Sequence, residues 1–139
     1  MWKAFNELKI LGKVSGKLPR MVAAQSTGCA PVVKAFQRRE NKTEFWENSQ
    51  TVALGLNVPG PIGGYWILRI LYESNGIAVD VPESDLQNLT DEFNSITRIN
   101  AGPEAGVVWG AFQKLRNVGW TDNSQSVVLF ATGIERCKL

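Results

Sequence analysis

Histidine is absent from this 139-residue chain, and that single absence excludes a great deal of chemistry. A Ser-His-Asp triad, a Cys-His pair and a histidine metal site are all impossible within it. Acid–base work would fall to carboxylates, lysines or a cofactor. Cysteine is scarce, and Cys29 and Cys137 are too far apart in sequence for a disulfide framework or a metal motif. Long apolar runs are missing as well. The longest, Tyr65 to Tyr72, is interrupted by Arg69 and falls short of the about 20 residues that span a bilayer. The N-terminus lacks an apolar core followed by a small-residue cleavage site, which argues against secretion. It is basic and amphipathic, as a mitochondrial transit peptide is, but no arginine occurs in its first 19 positions. Without a secretory signal, the glycosylation patterns at Asn41-Lys42-Thr43 and Asn88-Leu89-Thr90 read as chance. The expected location is cytoplasmic, with no membrane contact.

What is present is ordinary globular composition: 44% apolar residues, 20% charged, and 13 glycines. The length suits one domain with a real core, residues 1–139, and is too short for two. Charge is uneven. Residues 1–42 carry nine Lys/Arg against Glu7 and Glu40, a local +7, while residues 43–139 carry six basic and eleven acidic residues, a local −5. A basic half can mark a nucleic-acid binder. These lysines fall on polar faces and loops without interleaved exposed aromatics, so solvated surface is the expectation and no nucleic-acid partner is assigned.

Trp2, Phe5, Leu8 and Leu11 recur at three-residue steps, predicting an amphipathic helix with a core-facing stripe, stopped by Gly12. MVAAQ, residues 21–25, reads as a short strand. Pro31 suits a first helical turn, where its missing N–H would have no partner anyway, and that helix should run to about Arg39. Residues 51–64, TVALGLNVPGPIGG, form a loop. Ile62 to Ser74 is apolar nearly all round, predicting a buried helix closed by a left-handed cap at Asn75-Gly76. IAVDV, residues 77–81, is a strand. Ser84 and Gln87 have capping-box spacing ahead of a helical stripe of Leu86, Leu89, Phe93 and Ile96. A weak strand is expected near residues 96–100. Pro103-Glu104 opens a helix with Val107, Ala111, Leu115 and Val118 on one face, closed by Gly119, and SVVLFAT, residues 126–132, is the last strand.

Short apolar strands alternating with helices predict an open α/β domain, with a mainly parallel sheet covered by helices on both faces. Ligands in such sheets sit at the carboxyl ends of strands. Three polar or glycine-rich strand ends are therefore candidate site segments: Gln25 to Ala30, Asn100 to Glu104, and Thr132-Gly133. Cys29 at a helix entry raises the possibility of a nucleophile, but no histidine or metal is available to activate it. Close packing in the turn is the preferred role.

The segments MWKAFNELKILG, LPRMVAAQSTGCAPVVKAF, FWENSQTVALGLNVPGPIGGYWILRILYESNG, AGPEAG and VVLFATG, in this order, resemble threonine synthase. That family consists of pyridoxal-phosphate (PLP) enzymes of the tryptophan-synthase-β-like fold. The resemblance runs from Met1 to about Gly133 and corresponds to the C-terminal part of the family's large domain. It implies that the Schiff-base lysine, the asparagine facing the pyridine hydroxyl and the glycine-rich phosphate loop belong upstream of Met1. Lys34 and Lys114 do not match the position of the family's lysine. The implied reaction is a PLP-dependent β,γ-replacement converting O-phosphohomoserine and water to threonine and phosphate. No catalytic residue is assigned in this chain. The cofactor-binding residues implied are Thr132, matching the hydroxyl at the pyridine nitrogen, with Gly133; Ala53 and Gly55 in the loop beside the ring; and Glu104, in Pro-Glu-Ala-Gly where the family has Pro-Glu-Gly. After Gly133 the chain departs from the family, with Ile134 where a small or polar residue, a second glycine and a lysine are usual.

Two readings follow. One is a threonine-synthase-like fragment, incompetent by itself, whose partner is an N-terminal half or a homologous subunit and whose family substrate is a small amino acid. The other is a non-catalytic interaction module derived from the same fold. The sequence upstream of Met1 would distinguish them.

Overall fold

The computed structural model describes residues 1–134. Of the departure from the family pattern that begins at Ile134, residues 135–139, with Cys137, lie outside the described residues. Helix α1 (Trp2–Ile10) leads to strand β1 (Val22–Ser26) and helix α2 (Pro31–Gln37). A single 3-10 turn (Leu54–Leu56) interrupts the following loop before helix α3 (Gly64–Glu73). Strand β2 (Ile77–Val81), a 3-10 turn (Glu83–Asp85) and helices α4 (Leu86–Thr97) and α5 (Pro103–Asn117) complete the order.

β1 and β2 pair in parallel, with Val22 opposite Ile77 and Ser26 opposite Val81. Alternate side chains go to opposite faces of a strand, and the core divides accordingly. Ala78 packs with Val32, Val33, Leu68 and Leu71 of α2 and α3. Val79 and Val81 pack with Leu86, Val107, Ala111 and Leu115 of α4 and α5. The predicted α/β architecture with helices on both faces of a parallel sheet is therefore what forms. Both prolines sit in the first turn of their helices, Asn75 adopts the left-handed conformation after α3, and Gly119 does so after α5.

Several expectations fail, each for a local reason. Residues 126–132 form no ladder, and the sheet of the described residues consists of β1 and β2 alone. Nor is there a strand at 96–100: Ile96 and Thr97 finish α4, and Arg98 turns the chain in the left-handed region with φ 58°. The Ser84–Gln87 capping box is absent, since Ser84 lies within a 3-10 turn and donates instead to the Asp85 carboxylate. α1 has no buried residue, so its apolar stripe is at best half-covered, and Leu8 and Leu11 are exposed. α3 buries one side only, through Gly64, Leu68 and Leu71, leaving Tyr65 and Trp66 in solvent. Val118 and Ile96, predicted on core stripes, are exposed too.

Candidate functional site

Two carboxylates organise the carboxyl end of the sheet. Glu83 follows β2 and accepts a hydrogen bond from the Ser26 hydroxyl at the end of β1 and another from the Val52 N–H at 2.6 Å. Its own N–H donates to Thr27 Oγ1 at 3.0 Å, and Ser26 Oγ also accepts from the Gly28 N–H at 3.0 Å. Burial pushes the Glu83 carboxyl up, but hydrogen bonds from Ser26, Val52 and Thr51 outweigh it and hold the group below the ordinary carboxylate value. One ionised group thus fastens the turn after β1, the residue beyond β2 and the loop at 51–52. Sequence reasoning missed Glu83; its signal was an acidic residue immediately beyond a strand.

Glu104 does the equivalent work at the start of α5. A carboxylate there is favoured by the helix dipole. Its Oε1 accepts from the Gly55 N–H at 2.8 Å. Its Oε2 lies where a side chain on Gly133 would have to stand, and a Cβ on Gly102 would come within 2.8 Å of the same atom. Only hydrogen at those two positions lets the carboxylate nestle between the backbones. The Gly102 N–H donates to the Gly133 carbonyl at 3.1 Å, and Ala101 and Ile134 form an antiparallel bridge. Asn94, also missed, fixes the same corner by exchanging two bonds with the Ala101 backbone, at 2.9 and 3.0 Å.

The result is a cleft of about 590 Å³ whose walls include Val52, Leu54, Gly55, Glu104, Thr132 and Gly133. This lies within the roughly 300–1,000 Å³ of small-molecule sites. Of the five implied cofactor residues, four line it. Ala53 does not: it is buried beneath the loop among Val79, Val81 and Leu86, with its N–H on Thr51 Oγ1. Thr132 is exposed at the cleft, and no lysine or arginine is among the described residues that line it. Among the described residues, no cluster of His, Cys, Asp and Glu could hold a metal ion. No helix among them is long and apolar enough to cross a membrane.

Cys29 settles into the packing role. It is fully buried, and burial pushes its thiol pKa up against a lowering hydrogen bond at the Val58 backbone. A thiol held protonated is a poor nucleophile.

Residues 1–133 match the family described as pyridoxal-phosphate dependent enzyme. The chain belongs to that family. It is 28% identical over 133 residues to a threonine synthase of Methanosarcina acetivorans, and 26% identical to one of Methanocaldococcus jannaschii. Each alignment covers 96% of this chain and 33% of the relative, so the chain spans about a third of the length of the curated relatives it matches. Maize serine racemase is similar in fold, with a TM-score of 0.55 at 15% identity, covering 66% of this chain and 26% of that one. The cleft fits one side of a PLP site. Val52 and Leu54 offer apolar contact and Thr132 a hydroxyl, while the space beside Gly55, Gly102 and Gly133 is taken by the Glu104 carboxylate. Among the described residues it supplies no cation for a phosphate.

Proposed function

We propose that this chain provides one wall of the cofactor site of a threonine-synthase-like protein and does not turn over substrate by itself. The observation that carries the reading is the cleft, which brings Gly55, Glu104, Thr132 and Gly133 together with no lysine or arginine among the described residues that line it. PLP, when bound, supplies an electron sink. The part of this chain is to present Thr132 to the ring nitrogen as a neutral partner and to keep the loop at Gly55 beside the ring. Glu104 is a positioning residue, since it accepts from the Gly55 N–H and packs its carboxylate against Gly133. The proposed substrate class is a phosphorylated four-carbon amino acid, O-phosphohomoserine. The proposed partner is the remainder of the enzyme, as a separate chain or a homologous subunit, in the cytoplasm.

The test is a visible spectrum after incubation with PLP and exhaustive dialysis. The chain alone should retain no cofactor band. A retained band that disappears on replacing one lysine would overturn the claim of incompetence. Co-expression with the N-terminal part of a threonine synthase should restore retention and threonine formation. In that complex Thr132→Val, which keeps the shape and removes the hydroxyl, should weaken cofactor binding by about 1–3 kcal/mol if the nitrogen is left buried and unpaired. Cys29→Ser should keep most of the activity. A silent Thr132→Val beside an inactive Cys29→Ser would reverse the two assignments.

A further inference from the structure

The free edge of β2 is the floor of a second cleft, of about 840 Å³, running from Gly76 to Asp80. One wall is Phe36, Arg39 and Tyr72, and the other is Lys114, Leu115 and Val118. Helices on both faces of the sheet therefore overhang its edge. The rings of Phe36 and Tyr72 stack with centroids 5.4 Å apart and make their wall a stiff one. The direction of the backbone groups is fixed by the ladder. The Ile77 N–H donates to Met21 and the Val81 carbonyl accepts from Thr27, so Ile77, Val79 and Val81 pair toward β1. In a parallel strand the alternate residues then face outward. Lys114 Nζ, on the outer side, reaches the Asp80 carbonyl at 3.2 Å. The Ala78 and Asp80 backbones thus point into the cleft, an edge that offers another strand the Ala78 groups and the Asp80 N–H, the Asp80 carbonyl already accepting from Lys114.

The same chain holds an unpaired segment of suitable character. SVVLFAT, residues 126–132, is rich in β-branched and aromatic residues but makes no ladder. It leaves Val127 45%, Val128 75% and Phe130 51% exposed. It carries no charge, so nothing in it opposes entry between apolar walls. In parallel alignment its flanking Asp122 falls toward the start of β2, and Arg39, just past the C-terminal end of α2, is among the residues that line the cleft. An exposed strand-forming segment and an unfilled strand edge, with opposite charges beside them, satisfy each other between copies.

We propose that the β2 edge is a docking site for residues 126–132 of a second copy of this chain, added as a parallel strand between the helical walls. The five residues of β2 span only about 17 Å, and a sheet is about 10 Å thick, so one such contact is small beside the roughly 1,600 Å² of a standard interface. Association is therefore weak and reversible. Thr132 belongs to both this segment and the cofactor cleft, so docking withdraws it from that cleft in the copy that donates the strand.

The experiment is sedimentation equilibrium of the full chain across the micromolar range, with amide exchange read at Ala78 and Asp80. Mass should rise reversibly with concentration, and those two amides should become protected as it does. The double variant Val128→Lys with Phe130→Lys, at exposed positions, should remain monomeric, as should Val118→Lys on the cleft wall. Ile62→Lys, an exposed apolar position in neither element, should associate like the parent. A synthetic peptide of residues 123–133 should protect Ala78 and Asp80 in monomeric V128K/F130K, and the same peptide with prolines at 128 and 130 should not. A parent chain monomeric throughout, with no protection by the peptide, would overturn the proposal. So would association that survives V128K/F130K unchanged, since other apolar surface would then be responsible.

Discussion

Glu83 and Glu104 show how single side chains at this sheet end do the work of missing secondary structure. Neither pairs with a basic residue among the described residues; each satisfies backbone or hydroxyl donors instead. The consequence for Glu83 is a definite pH dependence. Its carboxyl lies below the ordinary value in the folded chain, so it binds its proton more readily when unfolded. Its contribution to stability is therefore complete above the unfolded pKa, about 4.3 for glutamate, and is lost as pH falls through the lower folded value. Glu83→Gln should lower the melting temperature at neutral pH, and the gap from the parent should narrow progressively in acid below about pH 4. Thermal melts across that range measure it; a gap that widens in acid would contradict the hydrogen-bond geometry. Glu104 was legible in the sequence as a helix-start carboxylate. Glu83 was not, because its donors come from residues 26, 51 and 52 and only the fold brings them near.

At the scale of elements, the sequence was most informative where local chemistry and tertiary context agree. β2 was read to the residue, and Pro31 and Pro103 marked two helix starts, since a missing N–H costs nothing in a first turn. It misled where context decides. SVVLFAT has strand propensity without a neighbour to realise it, and the apolar stripe of α1 has no core above it. The α4–α5 pair held a signal that went unread: Gly106 and Gly110 lie one turn apart on α5, facing α4. A Cβ on Gly106 would come within 2.8 Å of the Leu86 carbonyl, and one on Gly110 within 2.7 Å of a Leu89 methyl carbon. Alanine is the better helix former by roughly 1 kcal/mol, but overpacking typically costs about 1–3 kcal/mol. The two sites should separate. Backbone at Gly106 cannot retreat without moving a helix, whereas the near contacts at Gly110, methyls of Leu89 and Val81, are side-chain ends that can shift. Gly106→Ala should destabilise by about 2 kcal/mol and Gly110→Ala by about 1 kcal/mol or less, measured by denaturant titration. Equal losses would mean that α4 shifts as a body.

Across the whole molecule, stability should be graded, because burial is graded. Only two strands form among the described residues, and the best-covered region is the junction of β2, α4 and α5, where Leu86, Val107, Ala111 and Leu115 are buried. The site was readable in outline because its segments, at 53–55, 102–104 and 132–133, each carried glycine or polar signals. Their convergence on Glu104 needed the three-dimensional arrangement. At the other extreme stands α1. It has no fully buried residue, and its long-range side-chain hydrogen bond is from Trp2 Nε1 to Glu73 at 3.0 Å, on an exposed surface. A nine-residue helix is marginal in water without packing, and an exposed polar contact adds about 1 kcal/mol at most. Amide exchange on the intact chain should therefore show α1 opening almost freely, while α5 and the β2 amides that pair toward β1, at Ile77, Val79 and Val81, exchange only through global unfolding. Trp2→Phe, which deletes the donor, should speed exchange in α1 further and leave α5 unchanged. Protection in α1 equal to that in α5 would show that the N-terminal helix is docked on something firmer than Glu73.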